Sequence, residues 1–223
     1  MTTREKIRAF YDAMLAAYGP QGWWPAETPF EVVVGAILTQ NTNWKNVERA
    51  IANLKCEGLL SPAALDAVDA ARLAEVIRPA GYFRIKAARL KHFIAMLMER
   101  FGGDLDALFA LGTASLRETV LAVRGIGPET ADSIVLYAAG KPVFVVDAYT
   151  ARILARHGMI EAGEAGYEEI QDLMASALPD DVALLKEYHA LLVAVGKRHC
   201  KKRAPECVGC PLERYLEEGR PAP

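Results

Sequence analysis

Two glycines in the segment Leu121–Ala131 stand where one helical pattern gives way to another: Gly125 and Gly127 flank Ile126. Glycine here allows a tight turn whose backbone N–H groups reach a phosphate with no Cβ in the way, aided by the positive end of the following helix. Such main-chain donors allow a chain with a net charge of −2 to bind DNA. An ordinary turn between helices has the same pattern, so both interpretations stay open.

A single carboxylate, Asp147, separates the apolar run Val143–Val146 from a helical pattern, eighteen residues after Glu129. An acid in this position commonly caps a helix. Held in a cleft, the same carboxylate activates water or stabilises an oxocarbenium-like centre. Position alone favours the cap, so a chemical role needs support from elsewhere in the sequence.

Three of the four cysteines lie within eleven residues, as Cys200-x6-Cys207-x2-Cys210, with Pro205 and Pro211 turning the chain between and after them. This spacing favours a metal or cluster over disulfides. Cys56 lies far upstream on a predicted helix and is expected to be a buried core thiol.

Basic residues concentrate in two places that suit phosphate contacts, although a solvated face has the same composition. The first surrounds the cysteines and comprises Lys197, Arg198, Lys201, Lys202 and Arg203. The second comprises Arg84, Lys86, Arg89 and Lys91.

The elements that must position these residues are helical from end to end, and only Val143–Val146 resembles a strand. The fold class is therefore all-α, with about ten short helices. Because the longest apolar run, Val32–Leu38, is too short to span a bilayer, no membrane association is expected. The first residues, Met1–Met14, lack the continuous apolar stretch of a signal peptide, which predicts a cytoplasmic location.

Together, the Gly125-Ile126-Gly127 turn, Asp147 and the C-terminal cysteine loop resemble the helix-hairpin-helix DNA glycosylases of the endonuclease III superfamily, over nearly the whole chain. The resemblance implies a two-domain all-α fold. Residues 30–139 would form a six-helix domain ending in the helix-hairpin-helix, and residues 1–29 with 140–223 a second helical domain carrying the cysteine loop.

The resemblance also implies roles for single residues. Asp147 would be the catalytic carboxylate, and Gly125, Ile126 and Gly127 would grip the DNA backbone. The segment Ala36–Thr42 resembles the one that carries the family's intercalating glutamine, here Gln40.

Aromatic residues narrow the choice within the superfamily. Trp24 and Trp44 stand where the bacterial 3-methyladenine glycosylase branch has aromatic residues that sandwich the flipped base, and Glu129 joins them in the expected base pocket. Trp23 is expected to pack in the core. An alkylated purine is electron-poor and often cationic, so it is attracted to π faces.

Two departures from the family pattern matter. Glu129 stands where endonuclease III carries its lysine nucleophile, which implies a glycosylase without lyase activity. Leu216 stands where the fourth cluster cysteine is expected. A [4Fe-4S] cluster on Cys200, Cys207 and Cys210 is the prediction, with zinc or a metal-free loop as the alternatives.

The sequence thus predicts a monofunctional DNA N-glycosylase of base excision repair that removes alkylated purines such as 3-methyladenine from damaged double-stranded DNA. It would act as a monomer in the bacterial cytoplasm, at the nucleoid, with no small molecule needed for the chemistry. The alternatives are a glycosylase for an oxidised or mismatched base, and a non-catalytic protein that binds DNA structures through the same hairpin.

Overall fold

A computed structural model describes residues 1–216 and contains helices but no strand over that range, which confirms the all-α class. The helices are α1 (Thr3–Tyr18), α2 (Pro29–Thr39), α3 (Trp44–Cys56), α4 (Pro62–Ala67), α5 (Ala70–Val76), α6 (Phe83–Phe101), α7 (Leu105–Phe109), α8 (Thr113–Leu121), α9 (Pro128–Ser133), α10 (Ala148–Arg156), α11 (Tyr167–Ala177) and α12 (Val182–Arg198). Short 3₁₀ segments lie at Arg78–Ala80 and Glu213–Tyr215, and a π-helical segment at Ile134–Ala138 continues α9.

The chain folds into two compact units. One is Trp24–Lys141, and the other combines Met1–Trp23 with the chain from Pro142 onward. None of the helices in residues 1–216 is long and apolar enough to cross a membrane.

Side-chain caps start the helices at positions that the sequence indicates. Thr2 and Glu5 form a reciprocal capping box at α1, with Glu5 N donating to Thr2 Oγ1 over 3.2 Å and Thr2 N donating to Glu5 Oε2 over 2.8 Å. Asn43 caps α3 and Ser61 caps α4, each by accepting a bond from a backbone N–H three residues on. Local hydrogen bonding of this kind is readable from sequence, because both partners are close along the chain.

Helix α2 is the centre of the Trp24–Lys141 unit, where it packs against α3, α6 and the π-helical segment. Every residue from Phe30 to Leu38 is buried. The carbonyls at the end of such a helix need partners within the protein, because water cannot reach them.

Lys86 of α6 supplies one such partner. Its Nζ donates to Leu38 O over 2.8 Å and to Ala80 O over 2.7 Å, and only 1% of the residue is exposed. Burial, with a smaller effect from Arg89, lowers the pKa of Lys86 to about 8. Lys86 therefore ties the end of α2 to α6.

The prediction that all four basic residues of the α6 patch suit phosphate contacts is wrong for Lys86 and Lys91. Lys86 is buried, and Lys91 Nζ donates hydrogen bonds to the carbonyls of Leu65, Asp66 and Val68 at the end of α4. Charged residues at helical spacing point in different directions, so closeness along the sequence does not make a surface patch.

In the other unit, α12 packs against α1 and α10. Tyr188 of α12 is fully buried and donates its hydroxyl to Ile7 O over 2.6 Å. At Gly196 a Cβ would lie 2.1 Å from Tyr149 Cδ1, so glycine there allows the ring of Tyr149, near the start of α10, to lie directly on α12. The beginning of α10, which Asp147 caps, is thereby held against α12.

The run Val143–Val146 does not form the strand that its composition suggests. Its backbone is satisfied by side chains instead: Gln171 Nε2 donates to Phe144 O over 2.6 Å, and Val146 N donates to Tyr167 Oη over 3.3 Å. A β-branched run is a strand only where another strand lies beside it, and the described chain offers none.

Candidate functional site

The turn between α8 and α9 requires glycine at Gly125 for two reasons. Its φ of +91° lies in the region that side chains disfavour, and a Cβ there would lie 2.6 Å from Arg89 Cγ. Ile126 beside it is only 6% exposed, and its N–H already donates to Val123 O over 3.0 Å. Ile126 therefore anchors the turn in the core, while Gly125 and Gly127 are exposed.

The donors that the turn can offer an anion come from the start of α9. Ala131 N donates to Gly127 O over 2.9 Å, so the helix begins at Gly127. Pro128 has no N–H, which leaves the amides of Glu129 and Thr130 in the first helical turn. Backbone N–H groups at the start of a helix suit a phosphate, and an ordinary turn between two helices presents the same groups.

Gln40 lies against this turn, although 85 residues separate it from Gly125. Its Nε2 donates to Gly125 O over 3.2 Å and to Thr130 Oγ1 over 2.9 Å, and Arg89 donates to its Oε1. The following residue, Asn41, has a φ of +53°, so the chain turns sharply after Gln40. The structure thus joins two elements that the sequence analysis assigned to DNA.

Trp24 and Trp44 contact each other directly. Their ring centroids lie 5.3 Å apart at an interplanar angle of 87°, an edge-to-face pair, and Tyr137 lies 5.3 Å from Trp24 on another side. In this arrangement the two rings cannot sandwich a base, because rings in edge-to-face contact leave no space between them. Trp44 Nε1 donates to Glu48 Oε1 over 2.8 Å, which fixes its present orientation.

The same unit carries an exposed aromatic residue, Tyr82, to which the sequence analysis assigned no site role. Tyr82 precedes α6 with a φ of +45° and is 63% exposed, and Ile85 on the first turn is 53% exposed. Apolar side chains this exposed are suited to contact with a partner. No signal in the sequence separates them from core residues, because apolar type alone does not reveal burial.

Glu129 is exposed on the first turn of α9, where a carboxylate interacts favourably with the helix dipole. Ser133 Oγ donates to its carbonyl oxygen over 2.7 Å. The position that carries an amine in lyases therefore carries an anion, and its place in a base pocket stays a prediction.

Asp147 belongs to the other unit and serves as the N-cap of α10. Its Oδ1 accepts bonds from Thr150 N over 2.7 Å and from Thr150 Oγ1 over 2.9 Å, and its side chain is 10% exposed. The capping interpretation is correct, but it occupies only one carboxylate oxygen.

The second oxygen faces a residue that the sequence analysis did not single out. His189 of α12 has its Nε2 3.7 Å from Asp147 Oδ2, and the ring of Trp23 lies 5.8 Å from that imidazole. Burial opposes ionisation of Asp147, but the nearby imidazole and the two Thr150 donors more than offset it, so the pKa of Asp147 lies below its ordinary value. The carboxylate is therefore negatively charged at neutral pH.

The C-terminal basic residues lie partly against aromatic rings. Arg198 lies over the ring of Tyr18 at 4.4 Å and Lys197 over that of Trp23 at 5.7 Å, while Lys201 pairs with Glu206. Lys202 and Arg203 are exposed. This patch, unlike the one on α6, keeps its cations at the surface.

Cys200, Cys207 and Cys210 line one pocket, and Leu216 lines it too. Burial raises the pKa of Cys207 and Cys210, and Arg156 Nη1 donates to Cys200 Sγ over 3.2 Å. Over residues 1–216 no three cysteine, histidine or carboxylate side chains converge closely enough for a single metal ion. Cysteine thiolates are the usual protein ligands of iron–sulfur clusters, so the chemistry of this donor set fits such a group.

The expectation for Cys56 was wrong. It is exposed at the end of α3, because the buried stripe of that helix is formed by Val47, Ala50, Ile51 and Leu54.

Comparisons with known proteins agree with this arrangement. Residues 34–180 match the model of the HhH-GPD superfamily base excision DNA repair proteins. A provisionally named DNA repair glycosylase, MJ1434 of Methanocaldococcus jannaschii, is 49% identical over 212 residues, which cover 95% of this chain and 96% of that protein.

Solved structures give the same result. A non-covalent endonuclease III–DNA complex superimposes with a TM-score of 0.83 at 25% identity, covering 98% of this chain and 97% of the other. The 3-methyladenine DNA glycosylase of H. pylori bound to 1,N6-ethenoadenine superimposes with a TM-score of 0.75 at 26% identity, covering 89% and 98%. The chain therefore belongs to the HhH-GPD superfamily and is a DNA glycosylase of base excision repair of the endonuclease III type, with the 3-methyladenine branch among its several neighbours.

Proposed function

We propose that this protein binds damaged duplex DNA and hydrolyses the N-glycosidic bond of an alkylated purine, such as 3-methyladenine, without cleaving the strand. The observation that carries the proposal is Asp147, which is held by Thr150 through one oxygen and is ionised next to His189. A fixed negative charge of this kind stabilises a sugar that becomes positively charged in the transition state.

In the proposed reaction, the bond from C1′ to the base nitrogen breaks and its electron pair leaves with the base. Asp147 stabilises the positive charge that develops at C1′. Water adds there and transfers a proton to the Asp147 carboxylate, which returns it to solvent. Because an alkylated purine often carries a positive charge already, its departure needs little protonation by the protein. Thr150 keeps the carboxylate in one orientation, so little reorganisation is needed during the step.

The aromatic residues support an electron-poor base as substrate. Trp24 is fixed by packing on α2, where a Cβ on Gly35 would lie 3.3 Å from Trp24 Nε1. Trp44 is fixed mainly through its bond to Glu48 at the protein surface. Rotation of Trp44 would open the edge-to-face pair and let an extruded base stack between the two rings, with an interaction of about 0.5 to 2 kcal/mol between a cationic base and each ring.

DNA contacts are proposed for the hairpin turn through Gly125, Gly127 and the first turn of α9, and for Gln40 as the residue that fills the gap left by the extruded nucleotide. Ile126 contributes by holding the turn rather than by touching DNA, because its side chain is buried.

The lesion assignment is tested by measuring the bases released from methylated DNA by liquid chromatography, for the wild type and for Trp24→Ala and Trp44→Ala. Loss of one stacking ring is worth roughly 1 to 3 kcal/mol, so each variant should excise 3-methyladenine about 5- to 150-fold more slowly while binding undamaged duplex normally. Trp44→Phe keeps a π face and should restore most of the rate. If the wild type leaves methylated purines in place but releases bases from duplexes that carry oxidised or deaminated bases, the substrate is one of those lesions. If Trp24→Ala or Trp44→Ala loses folding stability as much as activity, that tryptophan serves core packing.

The role of Asp147 is tested by two substitutions that separate chemistry from capping. Asn caps helices as well as Asp, so Asp147→Asn should fold with normal stability but lose excision, since the charge is gone. Asp147→Ala should lose excision and also about 0.5 to 2 kcal/mol of stability. Thermal unfolding and single-turnover excision measure the two effects, and substantial activity in Asp147→Asn would make Asp147 a cap only.

The absence of lyase activity is tested by borohydride trapping on DNA that contains an abasic site. With Glu129 in place of an amine, no covalent adduct should form and strands should stay intact until alkali is added. Glu129→Lys introduces the amine and should give weak trapping, whereas Glu129→Gln, which removes only the charge, should give none. Efficient trapping by the wild type would mean that another amine is the nucleophile.

We also propose that Cys200, Cys207 and Cys210 hold a [4Fe-4S] cluster, whose role when bound is to shape the C-terminal loop. Protein purified without oxygen should contain iron and absorb in the visible range. Because Leu216 lines the same pocket, Leu216→Cys should supply a fourth thiolate and raise both iron content and resistance to air. If neither the wild type nor Leu216→Cys contains iron, the loop is a zinc site or metal-free, and zinc analysis separates these.

A further inference from the structure

One face of α6 supports both elements that are proposed to contact DNA in the Trp24–Lys141 unit. Arg89 lies on the backbone of Gly125, where its Cγ would be 2.6 Å and its Nε 2.9 Å from a Cβ. One turn along, His92 Nδ1 lies 3.1 Å from Arg124 O. The same face of the helix thus contacts both the hairpin turn and Gln40.

The side-chain amide of Gln40 is engaged at both ends. Its nitrogen donates to Gly125 and Thr130, and its oxygen accepts from Arg89. An amide bonded in this way has little capacity left to pair with a DNA base. To enter a gap in the duplex, Gln40 must therefore leave all three partners.

When Gln40 leaves its partners, Arg89 loses the hydrogen bond that it donates to Gln40. Arg89 is half-buried beside the exposed Gly125, one of the two glycines proposed to contact the DNA backbone. Without Gln40 its donors are available at that place, and guanidinium binds phosphate strongly and with defined geometry.

We propose that Arg89 is a positioning residue that holds Gln40 docked on the hairpin turn while the protein is on undamaged DNA, and that Arg89 turns to a phosphate once Gln40 enters the gap. This inference rests on the proposed role of Gln40 as the gap-filling residue. Insertion and the additional backbone contact are then coupled, so that DNA carrying a gap is held more tightly than DNA that lacks one.

If insertion and the phosphate contact are coupled, removing Gln40 should strengthen binding to undamaged DNA, although Gln40 is itself proposed to contact DNA. In Gln40→Ala, Arg89 has lost its glutamine partner and is available from the start. Affinity for an undamaged duplex should rise several-fold, and the logarithm of the binding constant should fall more steeply with the logarithm of the salt concentration, by about 0.9 for one additional phosphate contact.

The experiment is a titration of fluorescent duplexes at several salt concentrations with Gln40→Ala alone and in two combinations. Adding Arg89→Met, which keeps the aliphatic stem over Gly125, should abolish the gain. Adding Arg100→Met should preserve the gain in affinity, because this substitution removes the same charge from α6 about 16 Å farther along the helix. A Gln40→Ala variant that binds undamaged duplex no more tightly than the wild type would overturn the proposal, and so would a gain that persists with Arg89→Met.

A second duplex, with a stable abasic-site analogue, tests Gln40 itself. There Gln40→Ala should bind more weakly than the wild type, because the gap is left unfilled. If Gln40→Ala binds this duplex as tightly as the wild type but binds undamaged DNA more tightly, the gap-filling role is refuted and the docking by Arg89 is retained. The reverse pair of results would retain the role of Gln40 and refute the docking.

Discussion

The need to satisfy the carbonyls at the end of a buried helix determines much of the Trp24–Lys141 unit. Helix α2 is buried from Phe30 to Leu38, so its final carbonyls end in the protein interior. Lys86 bonds to Leu38 O and to Ala80 O, and the free energy lost by burying its ammonium is offset by these bonds. The bond from Lys86 to Leu38 O holds the end of α2 in place. It therefore also holds the position of Gln40, which directly follows the helix.

Helix α6 therefore has a different function on each part of its surface. Lys86 holds α2, Lys91 caps α4, and Arg89 with His92 contacts the hairpin turn. These four side chains bond to or pack against other parts of the protein, although in sequence the basic ones resemble a basic surface. In a chain with a net charge of −2, main-chain donors and a few exposed cations are the groups proposed to bind the polyanion.

The carboxylate of Asp147 can combine its structural role as a helix cap with the chemical role proposed for it. Capping α10 uses Oδ1, and the bonds from Thr150 fix the carboxylate rather than neutralise it. His189 then favours the ionised form in a buried environment that would otherwise favour the neutral acid. The two interpretations that the sequence leaves open are thus compatible, because a carboxylate has two oxygens.

The sequence by itself determined the all-α class, the starts of most helices and the glycine turn, because caps, helical periodicity and tight turns depend on residues close along the chain. It also indicated Gln40, Asp147 and the three cysteines through a resemblance in motif and spacing. Only the tertiary structure decided that Lys86 is buried, that Trp24 and Trp44 meet edge to face, that Arg89 and Thr130 hold Gln40, and that His189 faces Asp147. Each of these joins residues that lie apart in sequence or turns a polar side chain inward, and such contacts depend on how whole helices pack, which no local pattern encodes.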